Sequence, residues 1–212
     1  MESIMRMIDR FLGGNDAEVS ASADAQKNLL TAPGNPPYLE IRRGGDAWTV
    51  RTATLFAPVA AVPTTTARLE IFNNGSRLLV VSDLHAMQIL STAAGQTYGI
   101  MAGITTKKVV PTLTALNLYS LSGKALIVPT VESEIVTAVD TTIVDNGLQP
   151  YGDVQAWGTG VATPGNAWSA KIDGKLVVPP KCSLVLHIMG SLATASTFHV
   201  GATFDLVSAT LE

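Results

Sequence analysis

The chain has 212 residues, of which 47% are hydrophobic and 15% charged, with a formal net charge of −3 and a single cysteine. That length carries one substantial domain with an arm, and the apolar fraction is enough to fill a core. The acidic balance, with a pI near 5.6, excludes the basic stripe of a general nucleic-acid binder, and one cysteine excludes an intrachain disulfide framework.

The chain opens MESIMRMIDRFLGG. Ile4, Met5, Ile8, Phe11 and Leu12 recur on one face of a 3.6-residue period, which predicts a short amphipathic helix ended by Gly13-Gly14. Glu2, Arg6, Asp9 and Arg10 interrupt any signal-peptide core. A helix this short is marginal alone, so its apolar face needs cover from its own domain or from a neighbour. Residues 13–37 are small, polar and bounded by Gly and Pro, the composition of a flexible arm. Asp16, Glu18 and Asp24 outweigh Lys27 in that arm, which disfavours direct contact with a nucleic-acid genome. The expected division is therefore 1–37, helix and arm, and 38–212, a β domain.

From Tyr38 the chain becomes a succession of runs rich in β-branched and aromatic residues: YLEIR, AWTVRTATLF, TARLEIF, RLLVVSDLHAMQIL, QTYGIMAGIT, KALIV, SEIVTAVDTTIV, AWSAKI, LVV, SLVLHIMG and TFHVGATFDLVSATL. Gly44-Gly45, Asn73-Asn74-Gly75, Ser122-Gly123, Asn146-Gly147, Pro164-Gly165-Asn166 and Asp173-Gly174 punctuate them. Roughly ten strands with frequent turns predict an all-β sandwich or barrel. The charge-poor stretch Leu84–Thr106 holds Gln88, Ser91, Thr92, Gln96 and Thr97. It reads as two strands and a turn, not a membrane helix. Leu113–Leu121 reads as a short helix or a loop.

Near the end the alternation is clear. Phe198, Val200, Ala202, Phe204 and Leu206 share one strand face, while Thr197, His199, Gly201, Thr203 and Asp205 share the other. The strand before it is apolar on both faces, Leu184, Leu186 and Ile188 opposing Val185, His187 and Met189. Both faces need cover, which an oligomer would supply.

Cys182 and His187 are the chemically reactive pair of that region, but residues five apart in a strand point to opposite sides and lie roughly 16 Å apart. They form no dyad with each other. His85, His187 and His199 are isolated in sequence, although a hairpin around Gly190–Ser196 would put His187 and His199 on adjacent strands. Two histidines with no placed carboxylate make a poor metal site. Glu132 and Glu134 share a strand face near a strand start and read as solvated charges. Trp48, Trp157 and Trp168 read as core or interface anchors rather than a sugar platform. Trp157, before a Gly-rich loop, is the one most suited to a ligand or receptor contact. No catalytic residue, cofactor or metal is expected.

Two blocks, TARLEIFNNGSRLLVVSDLHAMQILSTAAGQTYGI and KIDGKLVVPPKCSLVLHIMGSLATASTFHVGATFDLVSATLE, resemble jelly-roll structural proteins of tailed-phage virions, of the head-decoration or cement kind. The likeness lies in a strand after an Asn-Gly turn, a STAAG hairpin and a Pro-Pro entry into a terminal hairpin. It implies an antiparallel jelly-roll β-sandwich and a non-enzymatic homotrimer. Such a protein is made in the host cytoplasm and held on the virion capsid surface by the major capsid protein or other virion proteins. No membrane and no direct nucleic-acid partner is implied. Ile4, Met5, Ile8, Phe11 and Leu12 are then the expected partner-binding residues. The alternative is a virion receptor- or carbohydrate-binding module, such as a head-fibre or tail-associated adhesin, and after that a capsid shell protein. A cupin-like enzyme ranks below these.

Overall fold

Period-two alternation runs through the β domain, and it folds accordingly. The computed structural model describes residues 45–63, 66–91, 96–106, 110–143, 147–157, 167–191 and 196–208, apart from the side chains at 91, 96 and 153–157. These residues belong to one unit, Ile41–Ala209. The expected helix over Ile4–Leu12, the arm to residue 37 and the YLEIR run lie outside the described residues.

Among the described residues there are twelve strands: β1 (Ala47–Arg51), β2 (Thr66–Ala67), β3 (Leu69–Asn73), β4 (Leu78–Ser91), β5 (Gln96–Thr105), β6 (Tyr119–Ser120), β7 (Ile135–Ala138), β8 (Thr141–Thr142), β9 (Gln149–Trp157), β10 (Ala167–Val178), β11 (Ser183–Gly190) and β12 (Ser196–Val207). One sheet runs β10-β4-β12-β1-β6 and the other β7-β3-β11-β5-β9, with β2-β8 as a small separate ribbon. All the pairings are antiparallel. Eight of these strands pair in nested fashion: β5 with β9, β4 with β10, β3 with β11 and β1 with β12. That is one long hairpin rolled into two facing sheets, a jelly roll, which narrows the sandwich or barrel that the strand pattern predicts and agrees with the fold that the resemblance implies. The excursion between β5 and β9 adds β6 beside β1 and β7 beside β3, so the outer edges of β1 and β3 are covered by the chain itself.

Several local expectations change once the strands are assigned to sheets. β4 and β5 lie in opposite sheets, as do β11 and β12. The STAAG link and the link after Gly190 therefore cross the sandwich instead of closing hairpins. AWSAKI and LVV are parts of one strand, β10, whose register shifts between Lys171 and Leu176. There Asp173 and Gly174 take positive φ angles of 48° and 77°, so this turn signal marks an irregularity within a strand. QPYGDVQAW forms β9, a strand that its β-branched and aromatic content does not announce because Pro150 and Gly152 weaken the pattern. As an edge strand beside β5 it tolerates both. Leu113–Leu121 is not helical and ends in β6. KALIV is joined to the sheet through a single bridge, Leu118 to Ile127.

Between the sheets the inward faces fill completely. Phe198, Val200, Ala202 and Phe204 of β12 have no exposed surface and meet Leu184, Leu186 and Ile188 of β11 in one core cluster. A register shift between Thr203 and Phe204 makes Ser82 an extra residue on β4, which turns both Val81 and Leu84 inward. The outward face of β11 is also covered. Val185 packs with Ala67, Met101, Ile143 and Leu148, and Met189 borders that cluster. The two-sided apolar pattern of β11 is thus met by the chain's own excursion, and this strand makes no demand for an oligomer.

A polar clamp closes the end of the sandwich where β3 turns into β4. Arg77 donates from Nε and Nη2 to the two carboxylate oxygens of Glu134 at 2.8 and 2.6 Å, and its Nη1 lies 2.9 Å from Asp46 Oδ1. Asp46 precedes β1 and Glu134 precedes β7, so one guanidinium ties three segments together. Replacing Arg77 with Ala should lower unfolding free energy by about 1–2 kcal/mol, the range for a partly exposed bidentate pair with a second partner. Arg77→Lys should recover less than half, because an ammonium cannot serve the fork geometry. Urea titrations in which the Lys variant matches the parent would show that the geometry is irrelevant.

Candidate functional site

His85 and His199 come together, as the sequence did not predict. β4 and β12 are neighbours, with Gly201 opposite His85 and His199 opposite Met87. Side-chain alternation puts His85, Met87, His199 and Gly201 on the outward face of that sheet. Arg51, opposite Gly201 on the next strand, joins them. Arg51, His85, Met87 and His199, with Ile89, Ala167, Trp168 and Ser169, line an open recess of about 640 Å³. Gly201 lets the His85 ring lie against the β12 backbone, since a Cβ there would collide with that ring and with the Val50 carbonyl oxygen.

Two fixed charges of opposite sign, Arg51 and Asp83, act on the histidines of this recess. Burial pushes the His85 pKa down; the Asp83 charge opposes that and Arg51 reinforces it. Burial also lowers His199, with Arg51 adding to the effect and the Thr52 backbone opposing it. His199 Nδ1 lies 3.3 Å from the Thr52 hydroxyl, which accepts the Val200 N–H at 3.2 Å.

His187 belongs elsewhere. It lies in the opposite sheet from His199, 1% exposed. Its Nδ1 is 2.8 Å from the Ile188 amide nitrogen, and Phe56 meets the ring edge-on at 5.9 Å. Arg68 stacks over Phe56, 5.7 Å from its centroid, and pairs with Asp140. Burial holds the His187 pKa down at about 4, against the opposing hydrogen bond with the Ile188 backbone. Cys182 is a free, half-buried thiol before the start of β11. Its amide donates to the Pro179 carbonyl at 3.2 Å, and its carbonyl accepts the Asn73 N–H at 2.9 Å. Cys182 precedes β11 and packs against the core between the sheets, whereas His187 lies mid-strand on the outward face, so the two stay apart as strand geometry predicts.

The other sequence-level sites separate as well. Trp48 is buried in the core, and Trp168 packs at its margin, edge-on to Phe198 at 5.9 Å. Trp157 ends β9, with its backbone opposite Gln96; its side chain lies outside the described residues. Glu134 is the partner of Arg77 rather than a solvated charge. Ile4, Met5, Ile8, Phe11 and Leu12 lie outside the described residues. Among the described residues no group of three or more His, Cys, Asp or Glu side chains is placed to hold a metal. No helix among them is long and apolar enough to cross a membrane.

No protein-family model and no curated protein sequence matches the chain. Among solved structures, a chain from the structure of Cocksfoot mottle virus aligns over 77% of this chain and 97% of its own length, at 10% identity and a TM-score of 0.23. The jelly-roll assignment rests on the strand order and not on that alignment.

Two measurements test this description. The unfolded chain takes up the His187 proton below about pH 6.5, whereas the folded chain resists until about pH 4. Stability should therefore be full above pH 6.5 and fall as the pH drops toward 4, by about 3 kcal/mol from this group. His187→Leu should flatten that part of a melting-temperature–pH profile, and parallel profiles would contradict the burial argument. At Gly201 an Ala should destabilise by about 1–3 kcal/mol through its collision with Val50 and His85. Gly99, with open space around it, should accept Ala with little change, and equal effects at the two sites would refute the steric account.

Proposed function

We propose that this chain is a non-enzymatic structural protein of a virion, of the head-decoration or cement kind found on tailed phages. It sits on the capsid surface as a homo-oligomer, with a trimer the expected arrangement. The observation that carries the reading is the filled interior of the jelly roll. Folds of this architecture serve as capsid modules, lectins and cupins, and a cupin-type metal site would need converging ligands inside the barrel. Here that space holds Leu, Ile, Val and Phe side chains, while the histidines face outward on two different sheets. What is left for function is surface, edge and arm.

In this reading Ile4, Met5, Ile8, Phe11 and Leu12 attach the domain to the major capsid protein or a neighbouring subunit. Each apolar side chain fully buried in such a contact contributes roughly 1.5–3 kcal/mol before ordering costs. Repetition across an oligomer multiplies the hold. The recess around Arg51, His85 and His199 favours a second reading, a receptor- or carbohydrate-binding virion module. Binding of the purified protein to a glycan array, lost in Trp157→Ala or Arg51→Ala, would select it.

The attachment reading is tested in the full-length chain with Ile8→Asp and Phe11→Asp together. Binding to particles stripped of the protein should fall at least about tenfold, the loss expected when two buried apolar anchors are removed. The melting temperature of the domain should not change. Retained particle binding with a lowered melting temperature would make the segment a cover for its own domain and defeat the proposal.

A further inference from the structure

The excursion that covers the β1 edge creates a new edge beyond it. Leu118 and Ile127 exchange backbone hydrogen bonds, 2.8 Å from the Leu118 amide and 3.0 Å from that of Ile127. In extended chain, alternate residues direct their peptide groups to opposite sides. Ile127 thus points inward to Leu118, and Leu126 and Val128 point outward with no backbone partner among the described residues. Their side chains are open as well, Leu126 at 49%, Ile127 at 40% and Val128 at 55% exposure. An apolar edge with free peptide groups is a template for another strand.

We propose that this edge pairs with the same edge of a second copy, antiparallel about a two-fold axis through Ile127. The choice of occupant follows from register and charge. In that register Leu126 of each copy opposes Val128 of the other, and four backbone hydrogen bonds satisfy all the outward groups of both residues. The ladder stops there, because the Lys124 amide already bonds Ser120 Oγ and the Thr130 amide bonds Ser133 Oγ. Slipping by one pair leaves half of those groups unmet. Lys124 and Glu132 flank the edge at its two ends, both exposed and neither in an ion pair among the described residues. Antiparallel pairing brings Lys124 of one copy to the end where Glu132 of the other lies. The edge is therefore complementary to itself in hydrogen bonding, in apolar surface and in charge. A contact this small is weak between two free molecules and becomes firm only where copies are already held side by side. The pairing stands on the edge alone and does not require the virion reading.

The test uses the full chain with Cys182→Ser, so that an introduced cysteine is the sole thiol. Residue 127 faces its symmetry mate across a non-hydrogen-bonded pair, with Cα atoms about 4.5 Å apart, within the disulfide range. Ile127→Cys should cross-link to a dimer under mild oxidation on the order of tenfold faster than Leu126→Cys, whose own mate is displaced along the strand. Adding Val128→Lys should abolish the difference. Equal rates at 126 and 127, or cross-linking untouched by Val128→Lys, would overturn the proposal. In the unsubstituted protein, amide exchange at Leu126 and Val128 should slow as concentration rises. Exchange independent of concentration would overturn it equally.

Discussion

The nested pairing that places the last two strands at the centres of the two sheets is the constraint on which the rest depends. β12 lies between β4 and β1, and β11 lies between β3 and β5. Neither sheet has a middle until the C-terminal part of the chain arrives. Every earlier strand must close a long loop before its native partner rewards it, the condition that makes such topologies slow to fold. The same arrangement explains burial. β11 and β12 have neighbours on both sides and apolar layers above or below, so Leu184, Leu186, Phe198 and Phe204 lose all their exposed surface.

A filled interior decides where chemistry can occur. The histidines do not converge between the sheets, where the space is taken up by aliphatic and aromatic side chains. They are left on outward faces, His85 and His199 in an open recess and His187 under the Phe56 segment. Glu70 and Thr137 are buried polar side chains held by hydrogen bonds. Glu70 is fully buried and accepts a hydrogen bond from Ser183 Oγ at 2.6 Å. Thr137 bonds the Thr114 carbonyl at 2.6 Å and receives the Leu116 amide.

The scarcity of charge fits the same plan. With 15% charged residues, the domain uses several of them as fasteners: Arg77 with Glu134 and Asp46, and Arg68 with Asp140. Arg51, Lys124 and Glu132 stand outside those pairs, one beside the recess and two flanking the exposed edge. The long β5–β9 excursion is what converts a plain eight-stranded roll into this protein. It covers two old edges, buries the outward face of β11 and presents Leu126–Val128 in their place.

Much of the fold was legible in the sequence because side-chain alternation is local. The inward face of β12, the two-sided burial of β11 and the separation of Cys182 from His187 all follow from a period of two. The sheet to which each strand belongs did not follow. A Gly- or Pro-marked turn looks the same whether it closes a hairpin or crosses a sandwich, so the sequence pattern after β4 and β11 predicts hairpins where the chain changes sheet. For the same reason the pattern puts His187 beside His199, whereas the neighbour of His199 in the structure is His85, far away in sequence. β9 carries no clear strand pattern because an edge strand tolerates Pro150 and Gly152, and the role of Arg77 has no local signature because its carboxylates come from distant segments. The sequence by itself determined which residues face a core. Tertiary structure alone decided which outward faces meet, because strand pairing is a contact between residues far apart in the chain, and no local pattern records it.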